Sequence, residues 1–396
     1  MPACNLTCCL VLTVAIGLLA VSRGSAQHQP TTRPACRAGS WYPGAPQTLA
    51  RYVDDLLAQA PPCKVETAPL AVIVPHAGYQ FSAPVAATAF KALEGRSYQR
   101  VVIIAFSHQF AGAYEGVAVP AEWSAYATPL GDVPVDREAI DQLAGKRPFV
   151  SRPGVDRDEH SLELQLPFLQ RVLKEFRLVP MMVGRMTKED YAAAAQAILP
   201  LLDGRTLVVV SSDFTHYGPA YGYRPFASAI EKRLTELADQ AARPLLNCDF
   251  DGFADHLEAT DDTICGRNPI LLLLRVLSMQ GGAAAVRSGF DTSGRMTGDW
   301  TNSVSYQAFE SSRREALRLA RETVTVLMRE HKVPPLEAER LPAGLRENGA
   351  CFVTLQNRGR LRGCIGNMEA QGPLCEAIVQ NAVHACRDPR FAGDPV

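Results

Sequence analysis

The chain has 396 residues, which is more than one hydrophobic core of ordinary size needs, and we therefore expect two or three domains. Hydrophobic residues make up 47% of the sequence and charged residues 20%, a balance typical of globular rather than disordered proteins. The formal net charge of −1 provides no overall field that would attract nucleic acid or an anionic membrane surface. We expect neither of them as a partner.

Residues 1–26 have the pattern of a secretory signal peptide. An apolar stretch runs from Leu6 to Val21, and small residues follow up to Ala26, so cleavage is expected before Gln27. The stretch is shorter than the about 20 apolar residues that span a membrane. We expect export to the periplasm or the extracellular space, without stable membrane insertion after cleavage. Because no Lys or Arg precedes the apolar stretch, a retained anchor and a misassigned start, which would leave the protein in the cytoplasm, stay open as alternatives.

The remaining cysteines do not form a recognisable pattern. Three of the eleven lie in residues 1–26, which leaves eight, without a CxxC pair or a regular spacing. This argues against a zinc ribbon or a dense disulfide framework, although an oxidising compartment would permit disulfides. Residues 27–35, which are polar and contain proline, are predicted to be a linker.

Three apolar runs each end in a histidine. The run LAVIVPH ends at His76, the run VVIIAFSH ends at His108, and the run LVVVSSDFTH contains Asp213 and ends at His216. Runs rich in Val and Ile are typical of parallel strands with both faces covered, and the carboxyl ends of such strands meet at one edge of the sheet. We expect these four side chains to converge there. The alternative is that each histidine only satisfies a local turn.

The segments between these runs predict helices and shorter strands. Strands are expected within 114–134 and at 178–183, and helices at Pro46–Gln59, 83–93, 136–146, 156–172, 188–202 and 270–279. From residue 311 the composition changes: a basic amphipathic helix at 313–332 precedes two short strands at 350–355 and 359–365. A second domain is therefore predicted to begin near residue 311.

Two further positions are candidates for chemistry. If 156–172 is helical with Asp158 as its N-cap, His160 and Glu163 share a face and could serve metal or proton chemistry, although an acidic first turn also simply stabilises a helix. Cys265 precedes the 270–279 helix, where the helix dipole and local donors could hold it as a thiolate that binds metal or reacts. A buried, inert thiol is the alternative.

The motifs of the chain resemble two known families. Residues 36–310 resemble the Memo family, component B of the AmmeMemoRadiSam system, through AGSWYPG, PHAGYQFS, SHQ, DEHSLELQLPFL, SSDFTHYG and CGRNPI, in that order. Residues 311–396 resemble the AMMECR1 domain, component A of the same system, through LARETV, ACFVTL, LRGCIG and RDPRF. This second domain is expected to be partial. Family members often read PSHH where this chain has Phe106 to Gln109.

The resemblance implies a fold and a site. Memo-like proteins are similar to class III extradiol dioxygenases, so we expect an α/β domain with a largely parallel sheet flanked by helices, followed by a partial α+β domain. The resemblance implies that His76, His108 and Cys265 are metal ligands, and that His216 matches the acid/base histidine of the dioxygenases, with Asp213 to orient it. A thiolate in the third position suits iron or copper, with zinc as a further possibility, and argues against ring cleavage.

Three functions are compatible with this pattern. The first is a redox metalloenzyme of unknown substrate, whose pocket His160 and Glu163 would line. The second is a binding module that recognises a small molecule or a peptide in the same cleft, as the association of animal Memo proteins with receptor signalling implies. The third is a zinc hydrolase with Glu163 as general base. A radical-SAM protein of the same system is the partner that the resemblance implies.

Overall fold

The structure is a computed structural model that describes residues 31–62, 68–280, 283–313, 315–341, 343–357 and 360–391. All of them belong to one compact unit, Thr31–Val396. The predicted signal peptide and its cleavage site lie outside the described residues. Within the described ranges, no helix is long and apolar enough to cross a membrane.

The strands and helices of the described residues have the following bounds. The strands are β1 (Thr32–Arg33), β2 (Ala71–Val74), β3 (Arg100–Ala105), β4 (Val117–Ala118), β5 (Ala125–Thr128), β6 (Gly131–Pro134), β7 (Phe149–Val150), β8 (Arg177–Val183), β9 (Thr206–Ser211), β10 (His216–Tyr217), β11 (Ala283–Thr292), β12 (Ser303–Arg313), β13 (Phe352–Asn357) and β14 (Arg360–Gly366). The helices are α1 (Pro46–Gln59), α2 (Tyr79–Phe90), α3 (Arg137–Leu143), α4 (Leu166–Val172), α5 (Lys188–Ile198), α6 (Ile230–Leu246), α7 (Phe250–Thr260), α8 (Arg267–Met279), α9 (Ser293–Thr297), α10 (Glu315–Glu330), α11 (Ala343–Arg346) and α12 (Leu374–Cys386).

The main sheet is mixed, with a parallel centre. Its strand order is β10-β12-β2-β9-β3-β8-β4-β7, with β11 paired to β12. The four central strands β2, β9, β3 and β8 are parallel, whereas β12 and β4 join them antiparallel on either side. The predicted α/β class is confirmed. The antiparallel flank arises because β11 returns into β12 as a neighbouring strand rather than through a helical crossover.

The central parallel strands are buried on both faces, which explains why their sequences are uninterrupted apolar runs. All residues of β2 and β9 are buried, as are five of the six residues of β3, so both faces of this part of the sheet are covered. Helices α2 and α8 pack against the central strands. The carboxyl ends of β2, β9 and β3 therefore lie side by side at one edge.

The predicted helix at 156–172 is wrong in its first half. Residues 156–162 are turns and loop, a 3₁₀ turn covers Glu163–Gln165, and α4 begins only at Leu166. The reason is local competition for hydrogen bonds, because the Glu159 carboxylate accepts the backbone N–H groups of His160 and Ser161. Asp158 is exposed rather than acting as a helix cap.

Residues beyond β12 form a second hydrophobic cluster. Leu319 of α10, Val353 of β13 and Ile378 of α12 are among its buried members. Strands β13 and β14 pair as an antiparallel hairpin. The predicted domain limit at residue 310 falls inside β12, which continues to Arg313.

Candidate metal centre

Three neighbouring strands bring the candidate residues to one edge of the sheet. His76 follows β2 by two residues, His108 follows β3 by three, and Asp213 follows β9 by two. Because β9 lies between β2 and β3 and all three are parallel, the residues after their carboxyl ends meet. His216 is the first residue of β10 and follows the end of β9 by five residues.

His76 is held with one ring nitrogen free. Its Nδ1 lies 2.8 Å from Ser211 Oγ, and the Ser211 hydroxyl donates its own proton to the Ser161 carbonyl oxygen. Nδ1 must therefore be the donor, which leaves the lone pair on Nε2. Burial lowers the pKa of His76 well below its ordinary value, and the charge of His108 adds to this, so the ring is neutral.

His108 is held in the same tautomer by a carboxylate. Its Nδ1 lies 2.9 Å from Glu159 Oε1, and its backbone N–H donates to Glu159 Oε2 at 2.6 Å. A carboxylate only accepts, so Nδ1 carries a proton and Nε2 is the ring nitrogen left for an ion. Burial raises the pKa of Glu159, but the hydrogen bond and charge of His108 outweigh it and hold the pKa well below its usual range.

Cys265 is the third member of the cluster. Its Sγ lies 3.2 Å from His76 Nε2, accepts the backbone N–H of Asp213 at 3.2 Å, and lies 3.3 Å from the Asp213 carbonyl oxygen. The backbone next to Cys265 packs closely on Ser212, and only glycine fits at position 266, since a Cβ there would stand 2.4 Å from Ser212 Cβ. Burial raises the pKa of the Cys265 thiol well above its ordinary value, and the Asp213 carboxylate adds to the rise. The thiol therefore keeps its proton in the metal-free protein, and the thiolate stays a prediction for the metal-bound state.

The three side chains are close enough to share one ion. One ligand atom from each of His76, His108 and Cys265 lies within 4.8 Å of the others, and the two imidazole planes meet almost at right angles. Two imidazole nitrogens and one sulfur form a donor set for iron, copper or zinc rather than for magnesium or calcium. The residues fit the metal that the resemblance implies.

A second group, formed by His108, Glu159 and His160, has similar spacing but is a hydrogen-bond network. Glu159 Oε1 already accepts from His108 Nδ1 and from the backbone N–H groups of His160 and Ser161, and Oε2 accepts from the His108 backbone. Both oxygens are occupied by donors, so Glu159 orients His108 instead of competing with it for an ion.

His160 and Glu163 do not act together. The His160 ring stacks on His108 at 4.3 Å and lies 5.5 Å from the His76 ring. Burial, together with the electrostatic effect of the neighbouring His76 ring, lowers the pKa of His160 to about 3. Glu163 is buried in a different network, where it accepts from Arg33, Tyr42 and two backbone N–H groups. These contacts hold Glu163 to the N-terminal residues, and its place in the pocket stays a prediction.

His216 and Asp213 lie beside the cluster but are not paired as expected. His216 Nδ1 lies 3.1 Å from the Thr263 carbonyl oxygen, so Thr263 rather than Asp213 fixes its tautomer and leaves Nε2 free. Asp213 Oδ1 accepts the His76 backbone N–H at 2.7 Å. Burial raises the pKa of Asp213, although the charge of His216 opposes the rise. The Tyr221 ring meets the His216 ring edge-on at 5.1 Å.

Sequence reasoning missed the residues that orient the candidate ligands. Ser211 is the last residue of β9, and Gln165 donates to it at 2.9 Å from the 3₁₀ turn. Glu159 stands in a loop directly before His160, and Thr263 stands in a loop two residues before Cys265. Ser211 and Glu159 are themselves part of the SSDFTH and DEHS motifs, and this was the available signal.

Fold and site together define an α/β protein with a candidate soft-metal centre at the carboxyl edge of its sheet. The chain belongs to the Memo-like protein family, whose model matches residues 33–310, and the AMMECR1 model matches residues 317–393. It is 36% identical over 252 residues to the protein memo-1 homolog of Caenorhabditis elegans, covering 62% of this chain and 71% of that protein. It is 32% identical over 288 residues to a MEMO1 family protein of Methanopyrus kandleri, covering 68% and 95%. The crystal structure of an uncharacterized protein from Escherichia coli K12 aligns at 14% identity with a TM-score of 0.38, covering 61% of this chain and 98% of that one.

Proposed function

We propose that this chain is a redox metalloprotein, related to the class III extradiol dioxygenases, in which His76, His108 and Cys265 hold iron or copper. The observation that carries the proposal is the direction of the lone pairs. Both ring Nδ1 atoms are committed to acceptors, so each Nε2 is free, and His76 Nε2 faces Cys265 Sγ at 3.2 Å. In the metal-free protein the Cys265 thiol can donate to this lone pair, and once the thiol has lost its proton the same two atoms are a nitrogen and a sulfur ligand that face one ion.

The metal ion and the side chains around it have different roles in this proposal. A bound iron or copper ion supplies electron transfer to or from a small-molecule substrate. His216, with Nδ1 committed to Thr263 and Nε2 free, accepts or returns a proton beside the cluster. Burial of Asp213 and His76 keeps water away from the inner face of the site.

The zinc hydrolase is the weaker alternative, because the carboxylate it needs as general base is already committed. Glu163 and Glu159 each accept four hydrogen bonds within the protein. Neither is free to activate water.

A ligand-binding module remains a second candidate because aromatic side chains are exposed beside the cluster. Trp41 is 36% exposed with its ring 4.4 Å from that of His160, and Tyr221 is 43% exposed beside His216. Exposed aromatic rings around a buried polar centre suit a small molecule or a peptide.

Metal analysis of protein purified anaerobically without added metal tests the proposal. We expect about one iron or copper per chain and an absorption spectrum that changes on reduction with ascorbate or dithionite. Stoichiometric zinc with no redox-dependent absorption would contradict the redox role. Ligand binding of equal strength in metal-free protein and in the Cys265→Ala variant would favour the binding module.

We also propose export by the segment 1–26 and a radical-SAM protein of the same system as partner. Cell fractionation and N-terminal sequencing of the mature protein test the first. Co-purification with that protein from the native cell tests the second, and mature protein found only outside the cytoplasm would contradict it.

A further inference from the structure

One buried arginine connects the start of the described chain to the loop that carries Glu159. The Arg33 side chain is 1% exposed and reaches three points of the 156–163 segment. Nε donates to the Asp156 carbonyl oxygen at 2.8 Å, Nη2 to the Glu159 carbonyl oxygen at 2.5 Å, and Nη1 to Glu163 Oε2 at 2.8 Å. The planar guanidinium thus holds both ends of the segment and its centre.

The hydrogen-bonding capacity of Arg33 is fully used. Nη1 also donates to the Pro34 carbonyl oxygen at 3.2 Å, and Nη2 lies 3.5 Å from Cys36 Sγ. Each of the three guanidinium nitrogens therefore has an acceptor. A lysine ammonium is a point donor and cannot reach these separate acceptors in one plane.

Glu163 ties the same segment back to the N-terminal residues. Its carboxylate accepts the backbone N–H groups of Cys36 and Arg37 at 2.9 and 2.8 Å and the Tyr42 hydroxyl at 2.8 Å. We call Arg33, Glu163 and the backbone groups that they bind the Arg33 clamp. The clamp fixes the position of the loop from both sides.

The clamped loop is the one that orients a candidate ligand. Glu159 stands between the two clamped ends, its own carbonyl oxygen is bound by Arg33, and its side chain holds His108 through both the backbone N–H and Nδ1. Any shift of the Glu159 backbone moves both bonds to His108 together. Arg33 itself makes none of these contacts to His108.

We infer that Arg33 is a positioning residue for the metal ligand His108, acting through the Glu159 loop. The inference rests on the proposed function in treating His108 as a ligand. It goes further in assigning control of that ligand to residues 33–42, which lie outside the strands that carry the site. Loss of the clamp releases the loop, and His108 Nε2 is then no longer held towards His76 and Cys265.

The test compares Arg33→Lys with Arg171→Lys in the full-length protein. Arg171 makes a bidentate pair with Asp54 at 2.8 Å for both bonds. This pair is exposed and binds Asp54 rather than the loop, so the control makes the same chemical change outside the clamp. Copper(I) affinity is measured by competition with bicinchoninate under reducing, anaerobic conditions. We expect Arg33→Lys to weaken copper(I) binding about 10–100-fold, the range seen when an orienting partner of a ligand is lost, and Arg171→Lys to leave it unchanged.

Amide hydrogen exchange of the metal-free proteins separates positioning from general destabilisation. In Arg33→Lys we expect faster exchange at the amides of His108, His160 and Ser161, which Glu159 accepts, while β9 keeps its protection. Equal copper(I) affinity in Arg33→Lys and wild type would overturn the inference. So would faster exchange throughout β9 and β3, because Arg33 would then serve the whole fold rather than the site.

A milder variant covers the case in which Arg33→Lys does not fold. Glu163→Gln keeps the shape of the side chain and removes only its charge, so it weakens the clamp without vacating it. We expect the same pattern with a smaller change, and no change in copper(I) affinity would again contradict the inference. If wild-type protein binds no metal tightly, the proposed function fails, while the local exchange response of metal-free protein still decides whether the clamp holds the His108 loop.

Discussion

The two sides of the candidate metal centre are held in different ways. On the histidine side, His76 and His108 are fixed through Nδ1 by buried side chains, Ser211 and Glu159, so both rings are held in one tautomer before any ion arrives. On the cysteine side, Cys265 Sγ contacts the His76 ring and the Asp213 backbone, and the thiol keeps its proton. The histidines are therefore ready to bind, whereas the cysteine must first lose a proton to the solvent. This difference predicts which substitutions and conditions control metal affinity.

The largest effect is expected from removing the sulfur. Cys265→Ser replaces the soft donor by a hydroxyl of similar size, and copper(I) affinity should fall more than about 100-fold because soft ions depend on thiolate ligands. Competition with a chelator under reducing conditions measures the change. Copper(I) affinity equal to that of wild type would show that the cysteine is a bystander and would leave only the two histidines as ligands.

Removing the orienting carboxylate should have the next largest effect. In Glu159→Gln the side-chain amide no longer accepts from all four donors, so the orientation of His108 is weakened and metal affinity should drop about 10–100-fold. Isothermal titration with zinc or copper(I) measures the change, and Glu122→Gln is a control at an acidic residue whose carboxylate accepts the Gly154 backbone N–H instead of holding His108. Unchanged affinity in Glu159→Gln would mean that His108 is positioned by its strand alone.

The pH dependence of binding should report the cysteine proton. Because burial raises the pKa of Cys265, the thiol is protonated in the metal-free protein near neutral pH, and metal binding must release this proton. Binding therefore strengthens as pH rises while pH stays below the raised pKa. Between about pH 7.5 and 8.5 we expect copper(I) affinity to rise about tenfold in wild type and to stay nearly flat in Cys265→Ser. The same slope in both proteins would place the released proton elsewhere.

The smallest change expected is a shift of preference rather than a loss. Cys265→Asp converts the donor set into two histidines and a carboxylate, the facial arrangement of non-haem iron(II) oxygenases. The ratio of iron(II) to copper(I) affinity should therefore increase in this variant, as measured by parallel competition titrations. A ratio that stays the same would show that geometry, and not donor softness, selects the ion.

The positions of the strand-end residues could be predicted because strands buried on both faces appear in the sequence as uninterrupted apolar runs. Continuous Val and Ile runs before His76 and His108 indicate strands covered on both faces, and parallel order then brings their ends together. Cys265 could be proposed only from its place before a helix and from the family motif. The sequence left both a thiolate and a buried thiol open, since it does not show how deeply the thiol is buried.

The orienting residues could not be predicted because they act outside regular structure. Helical spacing pairs His160 with Glu163, but Glu159 captures the two backbone N–H groups that follow it and breaks the helix there. The hydrogen-bond network of Glu163 could not be predicted for another reason. Its partner Arg33 lies 130 residues away, in a segment whose composition is that of a linker. Such a contact leaves no periodic pattern to find.

The same separation has a consequence for how the protein matures. Arg33 is synthesised 130 residues before Glu163, and the segments must meet by closing a long loop, which is slow compared with forming local helices. The central sheet needs a closure of similar length, since β2 pairs with β9 through Ala71 and Val208. We therefore expect the site to be completed together with the central sheet, late in folding. A chain that meets metal ions too early would therefore offer them a looser and less selective set of ligands than the finished protein does.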